Sequence, residues 1–504
     1  MDLTQQAFAV EKADVEGDAG VGHPEGEALG LEVGKEHAAV GRETVPVHES
    51  LSLFLAGEDD LGGERNGIDP EGQPDLWSGD RPGGFLPGIA SGKEEEDHEQ
   101  GDGAEETFHE GDLSRHMGPL NNCKIMMQRK IEEILLYADS EKNADMLYFG
   151  GVFVPDPFIA LTQGKRRLAV VNQLEFARVR REGRFDEVLP LEEVLREARS
   201  ASGQGPAHPA STIAFLAREL GIGGFRVGPD FPFGLGLKLQ AAGIALEVSE
   251  GPLFPERELK SGAEAACIKA GNAASAAGFR VVEKLLREAE IRKGQLYHGG
   301  RRLTSERVQE AIGRACLEKG ALAANTIVAG GDQACDPHCR GTGPLRADSF
   351  IIVDIFPRVM QTGYHGDMTR TYLKGRPSEA QKALYAAVHD SEQWALGEHR
   401  SGKSAALIYR KVMERFESGG YPTKREGNVP TGFIHGLGHG LGLDVHEPPR
   451  VNAEGARLRK GQVVTVEPGL YYPGLGGVRV EDVIRIDRGE PELLSSHPYR
   501  WHIR

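Results

Sequence analysis

Cysteine is scarce in this 504-residue chain. The five that occur, Cys123, Cys267, Cys316, Cys335 and Cys339, are too few and too scattered for a disulfide framework and read as reduced thiols of a cytoplasmic protein. Long apolar runs are missing too. None approaches the roughly 20 residues of a membrane span, and Met1 is not followed by a basic and then an apolar stretch. The first 116 residues lack tyrosine, have no methionine after Met1, and hold 20 glycines with 29 acidic side chains against 7 basic ones. Such a segment buries too little apolar surface to offset the entropy of ordering it. Residues 1–116 are therefore expected to be disordered and acidic. They read as an interaction tail or, preferably, as sequence ahead of a true start at Met117, Met126 or Met127. Taking their net −22 out of the chain's −17 leaves the remainder slightly positive, so the overall acidity implies no basic partner for the folded part. Neither nucleic acid nor a membrane is expected as a partner.

From about residue 126 the chain alternates helix and strand signals. "FIALTQGKRRLAVV" predicts a hairpin turning at Gln163 and Gly164, "PASTIAFLARELG" a helix ending at Gly221, and "GFRVG" and "IALEVSEG" short buried strands. This gives a small α/β domain over 126–255, closed by the linker-like "EGPLFPERELKS". A larger domain follows over 262–496. Its helices are predicted at "GAEAACIKAGNAASAAGFRVVEKLLREAEI", "TSERVQEAIGRACLEKG", "PSEAQKALYAAVHDSEQWAL" and "SAALIYRKVMERFESGG". The third has Pro377 in its first turn and a Ser378 to Gln381 capping box; Gly419 and Gly420 stop the fourth. Strand signals lie between and after them at "SFIIVDIF", "YHGDMTRTYL", "QVVTVEPGLYY" and "GVRVEDVIRI", which together predict an α+β domain.

Each of these strand segments carries a carboxylate: Asp354, Asp367, Glu467 and Glu481. Any one could sit at a strand end in water, but four such residues in strands of high β propensity point to a shared cation. In "GVRVEDVI" the period of two sends Arg479 and Glu481 to one face. "HGLGHGLGLDVHE" adds His435, His439 and His446, which could share a metal, act in catalysis or fill a tight turn. Read alone, "GLGHGLG" is a weak phosphate-loop motif with no lysine after it. "CDPHC" at 335–339 has no second cysteine pair to close a zinc site.

"DIFPR", "GYHGDMTRTY", "HGLGHGLGLDVHEPP", "TVEPGLYY" and "VRVEDVI" resemble, in order, the five signature blocks of the pita-bread metallopeptidases, most closely the aminopeptidase P and prolidase branch. The resemblance covers roughly 262–490, and 126–255 is similar to that branch's creatinase-type N-terminal domain. It implies that Asp354, Asp367, His439, Glu467 and Glu481 hold two divalent metal ions, Mn2+ first, with Co2+, Zn2+ or Fe2+ as alternatives. Asp367 and Glu481 would bridge them. Asp354 and Asp367 are thirteen apart, about two more than the family's usual spacing, which implies a longer turn at "PRVMQTG". His338, His435 and His446 would line the cleft and donate to the carbonyl oxygen, Glu467 would handle the proton of an attacking bridging water, and Arg479 and Tyr471 would border the proline side. The implied activity is that of an Xaa-Pro aminopeptidase acting on peptides with proline at the second position, in a homo-oligomer. The alternatives are an Xaa-Pro dipeptidase or a non-catalytic peptide-binding relative. A methionine aminopeptidase would lack the matches to His435 and Arg479, and metal-free creatinase-type chemistry would not keep all five ligands.

Overall fold

The computed structural model describes residues 131–202, 208–426 and 429–504. Segment 1–116, Cys123 and the candidate starts Met117, Met126 and Met127 lie outside the described residues.

The first lobe is built on a four-stranded sheet in chain order, Leu135–Ala138, Phe158–Gln163, Arg166–Val171 and Glu187–Pro190. The hairpin forms as expected, with Gly164 at φ 61° making its turn. Helix Pro209–Glu219 is followed by Gly221 at φ 69°, a left-handed stop. Strands Gly224–Val227 and Ala245–Val248 pair in parallel. The second was expected to be buried, but it is mostly exposed, with Val248 at 59%. It is the outer member of that pair, and an outer strand of alternating texture shows one side to solvent.

The turn Pro255–Glu258 leads into the 27-residue helix Gly262–Glu288, opened by a Ser261–Glu264 capping box. The helix stops short of the expected "AEI": Lys293 and Gly294, both with positive φ, turn Glu290–Arg292 back against Gln295–His298. Helix Glu379–Glu398 carries the expected Ser378–Gln381 box, but Pro377 precedes the cap and is not in the first turn, because Ser378 itself supplies the capping oxygen.

Helices Gly262–Glu288 and Ser305–Leu317 share a core with a four-stranded sheet of Ile327–Gly330, Phe350–Asp354, Thr369–Lys374 and His502–Ile503. Glu379–Glu398 and Ala405–Ser418 share another with the five-stranded sheet that runs Glu447–Val451, Gly438–Gly440, Val463–Val466, Asp482–Arg485, Glu492–Leu493. The segment "QVVTVEPGLYY", whose first strand Pro468 and Gly469 are expected to end after Glu467, is divided there, and "GVRVEDVIRI", expected as one strand, is divided as well. Val463–Val466 pairs with Asp482–Arg485, while Gly469–Tyr472 pairs with Gly476–Arg479 as a separate ribbon. The breaks fall at Glu467–Pro468 and Val480–Glu481. Proline has no N–H for a ladder, and the Glu481 N–H leaves its own strand to donate to the Thr369 carbonyl of the other sheet. No described helix is long and apolar enough to cross a membrane.

Candidate metal centre and cleft

The four carboxylates stand where strands end, yet they are not in water. Asp354 closes Phe350–Asp354 opposite Thr369, Asp367 precedes Thr369–Lys374, Glu467 follows Val463–Val466 and Glu481 precedes Asp482–Arg485. Asp354, Asp367, Glu481 and His439 are buried, and Glu467 is the most open. Donor atoms of Asp367, His439 and Glu481 lie within 4.8 Å of one another. His439 Nε2 is 3.3 Å from Glu467 Oε1 and 3.8 Å from Asp367 Oδ2. On its other side Nδ1 donates to the Gly440 carbonyl at 3.1 Å, which leaves the Nε2 lone pair facing the carboxylates. Burial, above all, drives the His439 pKa down to about 4. It pushes Asp367 and Glu481 well above the usual carboxylate range, and the neighbouring acids add to the shift. Glu467 is raised as well, again first by burial.

Small polar neighbours fix these groups, and sequence reasoning missed them. The Asn272 side-chain oxygen accepts the Asp367 N–H at 2.8 Å. Thr369 donates to Glu481 Oε2 at 2.7 Å. Thr465 accepts the His439 N–H at 3.0 Å and donates to Glu467 Oε1 at 3.4 Å. Both threonines sit two residues from a carboxylate, in "DMT" and "TVE", a spacing that marks a shared face. Asp482 points the other way, into a buried ion pair with Arg370 at 3.0 Å, and accepts from Ser495 and Tyr499.

Arg479 and Glu481 share a surface, as the period predicted. Arg479 donates to Asp354 Oδ2 at 2.7 Å, to Thr369 at 3.3 Å and to the Tyr471 hydroxyl at 3.1 Å. The other Asp354 oxygen is buried with no hydrogen-bond partner. Between Asp354 and Asp367 the chain forms the two-residue strand Arg358–Val359 and turns at Gly363, φ 79°. Tyr471, expected to border the proline side, is fully buried and does not line the cleft. Its hydroxyl accepts from Arg479 and meets His435 Nε2 at 2.8 Å, while His435 Nδ1 donates to the Gly436 carbonyl at 2.7 Å. Both nitrogens of His435 are thus engaged, leaving none free for a carbonyl oxygen.

His338 and His446 are exposed at the cleft wall. The His446 ring packs edge-on against His439, centroids 4.4 Å apart, and burial followed by the charge of neighbouring histidines and Arg450 lowers its pKa to about 4. The cleft encloses about 970 Å3 and is lined by the five candidate ligands, His338, His435, His446 and Arg479, but not Tyr471, together with Arg340, Arg450, Ile327, Phe356 and Ile434. Arg450, which sequence reasoning passed over, lies directly across the strand pair from His439 and pairs with no carboxylate among the described residues. The cysteines of "CDPHC" join no cluster of metal-donor atoms among the described residues, and burial raises the Cys335 pKa to about 11.

This donor set fits divalent cations. Four carboxylates, one of them with a buried unpartnered oxygen, and a neutral imidazole nitrogen are held together with too little positive charge to balance them.

Residues 266–488 match metallopeptidase family M24. An Xaa-Pro dipeptidase from Pyrococcus furiosus is 32% identical over 176 residues, 34% of this chain and 47% of the relative. The chain thus spans about half the length of the curated relatives it matches. Two solved structures share its fold: an X-Pro aminopeptidase from Thermotoga maritima (TM-score 0.61, 22% identity, 74% of this chain and 98% of that one) and an Xaa-Pro dipeptidase from Bacillus anthracis (TM-score 0.62, 22%, 74% and 95%). The α+β architecture is therefore the pita-bread fold.

Proposed function

We propose, from the match of residues 266–488 to metallopeptidase family M24, that the protein is a metal-dependent exopeptidase cleaving the bond between an N-terminal residue and a following proline. The observation that carries this reading is the buried cluster of Asp354, Asp367, His439, Glu467 and Glu481 on the wall of an open cleft. These five would hold two divalent ions, with manganese the first candidate for so oxygen-rich a set and cobalt, zinc or iron as alternatives. When bound, the ions supply Lewis acidity, which lowers the pKa of a water and polarises the scissile carbonyl.

The chain's own groups do the rest. Glu467, the most open acid and one of raised pKa, takes the proton of the attacking water and returns it to the proline nitrogen as the C–N bond breaks. His446 and His338, exposed beside the cluster, donate N–H groups to the carbonyl oxygen as negative charge develops on it. Arg479 keeps Asp354 turned toward the cluster. An Xaa-Pro bond is a tertiary amide without an N–H, so substrate must be gripped by its ends and its ring, not through the scissile amide.

Arg450 favours a second, narrower reading. A guanidinium with no carboxylate partner among the described residues and level with His439 suits a substrate whose own carboxylate lies one residue beyond the scissile bond, as in a dipeptide. Metal-reconstituted protein should be assayed on an Xaa-Pro dipeptide and the matching Xaa-Pro-Xaa tripeptide. For a dipeptidase, Arg450→Ala is expected to raise KM for the dipeptide about tenfold with little change in kcat. Equal turnover of the tripeptide, unaffected by Arg450→Ala, would leave the aminopeptidase reading. No turnover of either peptide sinks both.

A further inference from the structure

Arg257 lies in the turn Pro255–Glu258 that joins the first lobe to the long helix, and no role above uses it. Its largely buried guanidinium meets three carboxylates. Nη1 is 2.5 Å from Asp145 in helix Ala144–Gly150 of the first lobe, and Nη2 is 2.8 Å from both Asp444 and Glu447. Asp444 and Glu447 bracket His446. Buried Lys260 pairs with the other Glu447 oxygen. Gly442 leaves room for that carboxylate, since a Cβ there would stand 2.5 Å from Glu447 Oε1.

What lies behind this loop is space. A cavity of about 270 Å3 is lined by Asp145, Arg257, Asp444, His446 and Glu447 among others, and His446 lines both it and the cleft. Side-chain packing therefore does little to hold residues 444–447 from that side, whereas the ion pairs do. The exposed His446 ring makes no hydrogen bond among the described residues, so its place follows that of its backbone.

We propose that Arg257 is a positioning residue for His446, through which the first lobe sets the donor geometry of the cleft; this rests on the role given to His446 above. Arginine suits the task because its planar fork serves carboxylates on two sides at once, which the point charge of lysine does not.

The test uses the full chain, reconstituted with metal, as wild type, Arg257→Lys, Asp145→Asn, His446→Ala and the Arg257→Lys/His446→Ala pair. Kinetics on an Xaa-Pro peptide are read beside metal content and hydrogen exchange of backbone 442–449. Arg257→Lys is expected to lower kcat about tenfold with KM nearly unchanged and metal retained, and to cost nothing further once His446 is gone. Exchange should quicken at 442–449 and not in helix Gly262–Glu288. Asp145→Asn should shift both readouts the same way by less, and it carries the test if Arg257→Lys folds poorly. Additive losses in the pair, loss of metal, or unchanged exchange at 442–449 would overturn the proposal. A wild type inert toward Xaa-Pro peptides refutes the functional reading instead, and exchange then decides the pinning of the loop by itself.

Discussion

Two histidines seven residues apart touch one another and are asked to do different things. His439 offers a lone pair to the acid cluster, whereas His446 presents its ring to the cleft. Their alanine variants should therefore fail differently. His439→Ala is expected to lose metal and activity together. His446→Ala should keep its metal and lose on the order of 100-fold in turnover, about 2.7 kcal/mol, as for other oxyanion donors. Elemental analysis beside turnover separates the two, and a metal-free His446→Ala would reverse the assignment. The four carboxylates stood out because each falls in a segment of high β propensity, whereas His439 was singled out from its neighbouring histidines only by the resemblance of its block to the metallopeptidase signature. Arg450 was not, because its significance comes from His439 across a strand pair eleven residues away in sequence, and a single chain does not show which strands meet.

Elements were legible where their ends carry local chemistry. Serine caps at Ser261, Ser378 and Ser404 open helices where the sequence put them, and the glycines after Glu219 and Ser418 close them. The end of the strand at Pro468 and Gly469 was legible in the proline, but that Gly469–Tyr472 then joins a separate ribbon was not, since a change of hydrogen-bond partner leaves the alternation of side chains intact. The run "AGNAASAAG" in helix Gly262–Glu288 is built of small residues, and it brings the helix against the loop carrying Asp367. A Cβ on Gly271 would lie 2.3 Å from the Gly366 nitrogen, and Asn272 next to it holds the Asp367 N–H. Gly271→Ala should therefore push that loop outward. We expect a loss of about 1–3 kcal/mol in stability by denaturant titration and weaker metal binding by calorimetry. Unchanged metal affinity would show that Asp367 is not placed by this contact.

Across the whole molecule, the acid cluster ties stability to pH and to metal. Without cations, Asp367 and Glu481 hold their protons far above the usual carboxylate range. Groups raised in this way contribute stability below the unfolded pKa of about 4, and that contribution is lost as pH rises through their folded values. Bound cations remove the loss by balancing the ionised acids. The gap in Tm between metal-loaded and chelator-treated protein is expected to widen from about pH 5 to about pH 8. A gap independent of pH would mean that these carboxylates are not what the metal binds. Glu481 and Asp482, adjacent in sequence, also guard against misfolding. One faces the cleft and the other Arg370, so a slip of one residue in either direction puts a valine where an acid is needed: Val483 opposite Arg370, leaving a buried guanidinium without its counter-ion, or Val480 in the place of the cluster's acid. The two acids thus act as a parity check on the register of the sheet: a chain paired one residue out of step pays for it in unbalanced charge before any substrate is met.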